Sequence, residues 1–325
     1  MPTDPPRRLH HTSRGSLHFF STRALALANT LALALTSVSR AGHDVTKEMK
    51  MPAEEALGSR IHGLVNLEVS DHYITPRGLN VENQGVIFQP LVLLFWNLYS
   101  SDTGFLNDIT LTTGVWNSIH TRESGADPSH WNEIDPIGGI TFKFLKELQL
   151  DVFWSAFQSQ TDSYDTSNNL SVKLTWNDTI FGDSFSINPY VEFWDELSDK
   201  ATVVFNPATS DESFYFAIGI NPTYRFKSIP LTISLPTSIN ICDSDFYQRF
   251  DGSPGGSGLA VFTTQLKFQV PLNFIPKGYG AWTFYAGIQY YHLNNDGLLD
   301  GNQVLADAQR TENLVQFHGG ISIFF

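Results

Sequence analysis

N-L-S-V-K-L-T-W-N, residues Asn169 to Asn177, sets Leu170, Val172, Leu174 and Trp176 against Asn169, Ser171, Lys173, Thr175 and Asn177. Successive side chains of a strand point to opposite faces, so this alternation describes a strand with one apolar and one polar side. The same period runs outward in both directions. Leu148, Leu150, Val152 and Trp154 alternate with Gln149, Asp151 and Ser155; Phe214, Phe216, Ile218 and Ile220 alternate with Tyr215, Gly219 and Asn221. Leu231, Ile233, Leu235, Ile239 and Ile241 repeat the pattern against Thr232, Ser234, Ser238 and Asn240.

Extending this reading gives twelve candidate strands: 60–71, 85–99, 108–120, 136–145, 148–158, 169–178, 184–196, 212–226, 229–241, 258–270, 281–292 and 313–325. Soluble strands average about five or six residues, whereas a tilted strand crossing a bilayer takes about 9 to 11. The connections alternate as well. Long ones (72–84, 121–135, 159–168, 197–211, 242–257 and 293–312) are separated by mostly shorter ones, as expected when short periplasmic turns face longer external loops. The expected fold is all-β: a transmembrane antiparallel barrel of about 12 strands, spanning 60–325, with both ends on the short-turn side. Pro189, Pro222 and Pro236 fall inside three of the segments and each removes a ladder donor, so bulges or shifted boundaries are expected there.

The composition agrees. The 325 residues are 42% hydrophobic and 16% charged, with a single cysteine, Cys242, and a formal charge of -13. An acidic chain is a poor phosphate binder, so no nucleic-acid partner is expected. One cysteine forbids an internal disulfide and any metal site built on several thiolates. Mean hydropathy is only -0.14 because lipid-facing and lumen-facing residues average out.

Residues 1–41 read as a secretory signal peptide, with Arg7, Arg8, Arg14 and Arg23 before an apolar stretch from Ala24 to Val38 and small residues at Ser39 and Ala41. Fifteen apolar-phase residues, interrupted by Asn29 and Thr30, are short for a helical anchor needing about 20. Cleavage is expected after Ala41. Residues 42–59 would then be a periplasmic leader, and the mature chain would carry 15 basic against 32 acidic residues, near -17.

Outward apolar residues fix the inward set by subtraction. Glu68, Asp151 and Glu192 supply acids to the lumen, and Lys143, Lys173, Arg225 and Lys267 supply bases; Trp116, Tyr190 and Tyr285 are inward aromatics, with Phe153, Phe157, Trp194, Tyr215 and Tyr291 in the same phase. Mixed signs predict a hydrated interior without strong ion selectivity, and the rings are read as space-filling in preference to a stacking track for flat solutes. Trp96, Tyr99, Trp176, Phe193 and Trp282, near strand ends, are candidates for interfacial belts. Acids concentrate in the long loops: Glu123, Asp127, Glu133 and Asp135 in one, Asp243, Asp245 and Asp251 in another, and Asp296, Asp300 and Asp307 in a third. Such a mouth attracts cations. The run N-N-D-G-L-L-D-G-N, Asn294 to Asn302, lacks the spacing of a calcium loop and is read as solvated.

The last segment carries Val315, Phe317, Ile321, Ile323 and Phe325 at period two. Phe317, Ile321, Ile323 and Phe325 resemble the C-terminal signature of bacterial outer-membrane barrels, which implies recognition by the barrel-assembly machinery. Ser70 to Leu79, S-D-H-Y-I-T-P-R-G-L, resembles the opening of the TorF-type porins, with Asp71, Arg77 and Gly78 matching. That resemblance implies a porin-like protein and brings no catalytic residues. No H-E-x-x-H, C-x-x-C or G-x-S-x-G occurs, so neither enzyme nor metal nor cofactor is expected. The expected function is passive diffusion of small hydrophilic solutes across the outer membrane of a Gram-negative-type bacterium, with outer-membrane lipid around the barrel. A phospholipase-type barrel and a non-conducting structural or adhesive barrel are the alternatives.

Overall fold

The computed structural model describes residues 60–200, 212–249, 251–305 and 310–325; the expected signal peptide, its cleavage point and the leader lie outside them. Twelve strands follow one another: β1 Ile61–Ser70, β2 Ile87–Ser100, β3 Leu106–Ser124, β4 Ser129–Phe144, β5 Leu148–Ser159 and β6 Ser167–Trp176. Three strands come in two pieces, β7 as Phe185–Ser186 and Tyr190–Ser198, β8 as Phe214–Ile220 and Thr223–Arg225, and β9 as Thr232–Ser234 and Thr237–Cys242. β10 Gly258–Pro271, β11 Ala281–Leu293 and β12 Asn313–Phe324 complete the set. Each strand pairs antiparallel with the next, and β12 pairs with β1, so the sheet closes into a transmembrane barrel. Every segment expected from the alternation coincides with one of these strands.

Closure satisfies the backbone without an edge, as lipid requires. At the seam Leu64 faces Phe324 and Leu67 faces Ile321. The ladder runs on past the strand end: Gly63 N–H donates to Phe325 O at 2.7 Å and Phe325 N–H returns to Gly63 O at 3.0 Å. The Phe325 ring lies so close over Gly63 that a Cβ there would sit 2.5 Å from it.

The two faces separate by chemistry. Val69, Val92, Leu94, Ile218, Phe284 and Phe317 are exposed on the outside, while Glu68, Gln89, Thr112, Ser171 and Gln289 are buried inside. An exposed apolar surface around a buried polar interior inverts a soluble fold and matches a lipid-embedded one. Tyr99 and Trp176 are exposed near the short turns, and Phe105, Phe181, Phe274 and Tyr279 extend that aromatic girdle from the turns themselves. Phe193 departs from the belt expectation. It sits within its strand, packed on Phe214 and Phe216 at 5.6 and 5.2 Å.

Pro189, Pro222 and Pro236 mark the breaks in β7, β8 and β9. Pairing resumes in the same register beyond each break, with Tyr215 facing Cys242 before it and Thr223 facing Ser234 after it. The prolines still accept: Trp176 N–H bonds Pro189 O, Leu235 N–H bonds Pro222 O and Gln265 N–H bonds Pro236 O, at 3.0, 2.8 and 2.9 Å. Only the reciprocal donor is missing.

Two connections depart from the expected pattern. The supposed long loop 121–135 is a four-residue turn, 125–128, because β3 and β4 run on to Ser124 and from Ser129. Glu133 and Asp135, counted among the acids of that loop, are strand residues buried in the lumen. A polar interior makes charge a poor marker of loops. The connection between β5 and β6 is likewise short, 160–166. Asn294 to Asn302, read as solvated, instead enters a helix, α1 Asp296–Leu305, whose Leu298 and Leu299 are buried. Asp296 and Asp300 there pair with Arg249 and Arg310.

Candidate functional site

Three connections on the long-loop side fold over the lumen. Residues 71–86 carry a small ribbon, Tyr73–Ile74 paired with Asn80–Glu82, and turn at Gly78, whose φ of +83° and contact with Leu293 leave no room for a Cβ. Ile74 and Leu79 pack with Leu298 and Leu299 of α1, with Phe246 and Tyr247 of the loop 243–257, and with Phe157, Trp194, Tyr215 and Tyr291 of the wall. The result is an apolar plug. Apolar side chains therefore occupy much of the long-loop half of the lumen, where the sequence predicts a hydrated interior.

Hydrogen bonds fasten the inward loop from several sides. Tyr73 Oη donates to Glu133 Oε2 at 2.7 Å. Asn240 Nδ2 donates to Pro76 O at 3.2 Å, and Asn302 holds both Gly78 O, at 2.9 Å, and Asn80 N–H, at 2.8 Å. Tyr247 Oη donates to Arg77 O. Burial lifts that phenol well above its usual pKa, so it remains a donor at any ordinary pH.

Arg77 lies at the inner tip. It is 5% exposed, with its guanidinium 4.7 Å from the Phe157 ring and 4.8 Å from the Trp194 ring. It lines a cavity of about 50 Å³ together with Glu68, Glu133, Asp135, Tyr73 and Trp116, a space for a few waters. Arg77 Nη1 and Asp135 Oδ1 have no hydrogen-bond partner.

Below the plug the lumen is polar and crossed by two rows. Asp151, Lys173 and Glu192 face one another in register on β5, β6 and β7; Thr141 and Gln149 donate to Asp151 at 2.7 and 2.9 Å, and Lys173 sits 4.5 Å from the Tyr190 ring. In the second row Lys267 lies 4.3 Å from the Tyr285 ring, whose hydroxyl donates to Glu68 Oε2 at 2.8 Å. His318 Nδ1 is 3.5 Å from the same oxygen. Of the ten residues expected in the lumen, Glu68, Trp116, Asp151, Lys173, Tyr190, Glu192, Lys267 and Tyr285 are buried; Lys143 is exposed and Arg225 half-buried, both at the short-turn rim.

The inward aromatics contact one another. Phe157 stacks on Trp194 at 5.6 Å and Trp194 on Tyr215 at 5.9 Å, while Phe246 meets Tyr215 edge-on at 5.1 Å. No local period joins Tyr73 to Glu133 and Asp135, which meet only when the loop folds inward. Arg77 carries a sequence signal only through the resemblance of Ser70 to Leu79.

One further pair is the nearest approach to a nucleophile and base among the described residues: Ser118 Oγ and His120 Nε2, 2.9 Å apart. His120 Nδ1 faces Ser124 Oγ at 3.3 Å, where an orienting carboxylate would be needed, and Gln89 Nε2 reaches Ser118 Oγ at 3.3 Å.

No protein-family model matches the chain, and no curated protein matches it by sequence. Among solved structures, the NanC porin is similar at a TM-score of 0.41 and 12% identity, over 80% of this chain and 98% of that one. An outer-membrane channel from Pseudomonas putida F1 gives 0.43 and 11%, over 86% and 100%. LpxR from Salmonella typhimurium gives 0.41 and 7%, over 81% and 100%. At that level of likeness no activity transfers to this chain.

Proposed function

We propose that this barrel is an outer-membrane channel for passive diffusion of small hydrophilic solutes, held shut in this structure by its inward loops. The observation that carries the reading is the inner face: Asp151, Lys173, Glu192, Lys267 and Glu68 lie buried in the lumen below the plug. Filling a barrel needs only apolar side chains, whereas burying charge is expensive unless water and polar partners share the space. The path past the plug requires residues 71–86 and α1 to yield, and both are joined to the wall mainly by side chains. The likeness of Ser70 to Leu79 to the TorF-type porins points the same way.

The test is reconstitution of refolded protein into planar bilayers and liposomes. Single-channel steps and uptake of small hydrophilic solutes are expected of variants loosened at residues 72–84, and their absence in those variants overturns the channel reading. Hydrolysis of phospholipid micelles that disappears in Ser118→Ala would establish an enzyme in its place.

A further inference from the structure

The guanidinium of Arg77 lies in surroundings that fit a free cation. Its Cζ is within 5 Å of two ring centroids, Phe157 at 4.7 Å and Trp194 at 4.8 Å, and aromatic faces attract cations most strongly when desolvated. Beside it the carboxyl pair Glu133 and Asp135, which share a hydrogen bond, lines the same cavity as Arg77. Asp135 Oδ1 is buried without a partner, and so is Arg77 Nη1. The rings and carboxylates belong to strands β4, β5 and β7 of the closed sheet, whereas the cation arrives on a loop. The receptor half is therefore built into the wall.

We propose that the lumen holds a binding site for guanidinium-bearing or related organic cations, formed by Phe157, Trp194, Glu133 and Asp135, in which Arg77 is the stand-in occupant of the closed barrel. This rests on the channel reading and names its solute class. A planar guanidinium stacks and pairs in ways a compact ammonium does not, so guanidinium compounds bind ahead of amines. The acidic residues of the mouth raise the local concentration of such solutes. A cation that takes the place of Arg77 also releases the tip of the inward loop, so occupancy of the site and opening of the plug are one event.

The experiment titrates methylguanidinium, methylammonium and neutral methylurea into the full chain in detergent micelles and follows tryptophan fluorescence. Arg77→Ala is expected to bind methylguanidinium at least tenfold more tightly than the unaltered protein, methylammonium more weakly, and methylurea not at all. Adding Trp194→Leu or Asp135→Asn to Arg77→Ala should cost about tenfold in that affinity. Equal binding in Arg77→Ala and the unaltered chain, or equal binding of methylurea, overturns the site. Heat-modifiable gel mobility checks the fold. The unaltered protein provides a second measurement: methylguanidinium should speed tryptic cleavage after Arg77 where methylurea does not, and no difference between them overturns the proposal. Binding without conductance in any variant would sink the channel and leave the site standing; conductance without binding would do the reverse.

Discussion

Tyr73 ties the inward loop to β4 through one hydrogen bond to Glu133. Tyr73→Phe leaves a buried carboxylate short of a partner, which costs about 1–3 kcal/mol. Hydrogen exchange of the amides at 72–82 should accelerate about tenfold or more, since local opening is what exchange reports; unchanged exchange would show that Asn302 and Tyr247 suffice. A single methyl group is decisive elsewhere. At Gly320 a Cβ would lie 2.3 Å from Leu67 O, which is backbone and cannot rotate away. Gly320→Ala should therefore destabilise the seam by about 1–3 kcal/mol, seen as a lower temperature for the shift from folded to unfolded gel mobility.

The strands explain why the prolines are tolerated. Pro236 sits in continuous register, accepts from Gln265 and withholds one donor. Pro236→Ala restores that donor and should stabilise the barrel by about 0.5–1.5 kcal/mol, raising the same mobility transition; a loss would show that the bend at this position is needed by the fold. The final strand has the opposite sensitivity. Deleting Phe325 removes both terminal hydrogen bonds to Gly63 and the ring that covers it. The folded fraction recovered from refolding should fall several-fold, and full recovery would count against the role given to the terminal aromatic. Alternation marked all twelve strands because period two survives wherever one face meets lipid. It misplaced the loop 121–135 because the pairing of β3 with β4 is irregular there, with register shifts after Ser118 and Ile119 and the consecutive residues Asn132 and Glu133 both buried, so the period of two breaks while the strands run on.

On the scale of the whole molecule, the barrel is a polar tube closed by an apolar stopper. Replacing residues 72–84 with a short Gly-Ser link should raise single-channel conductance several-fold over the unaltered protein, because Ile74, Leu79 and Arg77 leave the lumen together; an unchanged trace would assign the closure to α1 and the loop 243–257 instead. The candidate site shows how far the linear chain carries. Glu68, Asp151, Lys173 and Lys267 were legible as inward because their faces are set by their neighbours one residue away. Tyr73, Arg77, Glu133 and Asp135 were not legible as a group, since their meeting depends on a loop crossing from β1 to β4, β5 and β7. The sequence by itself determined the strand set, the two faces and the closed transmembrane sheet, all consequences of a local period of two and of lipid's demand for a paired backbone. Only the tertiary structure decided that the tube is shut and which groups meet at its constriction, because those contacts join residues 60 or more positions apart in the chain and no local periodicity encodes them.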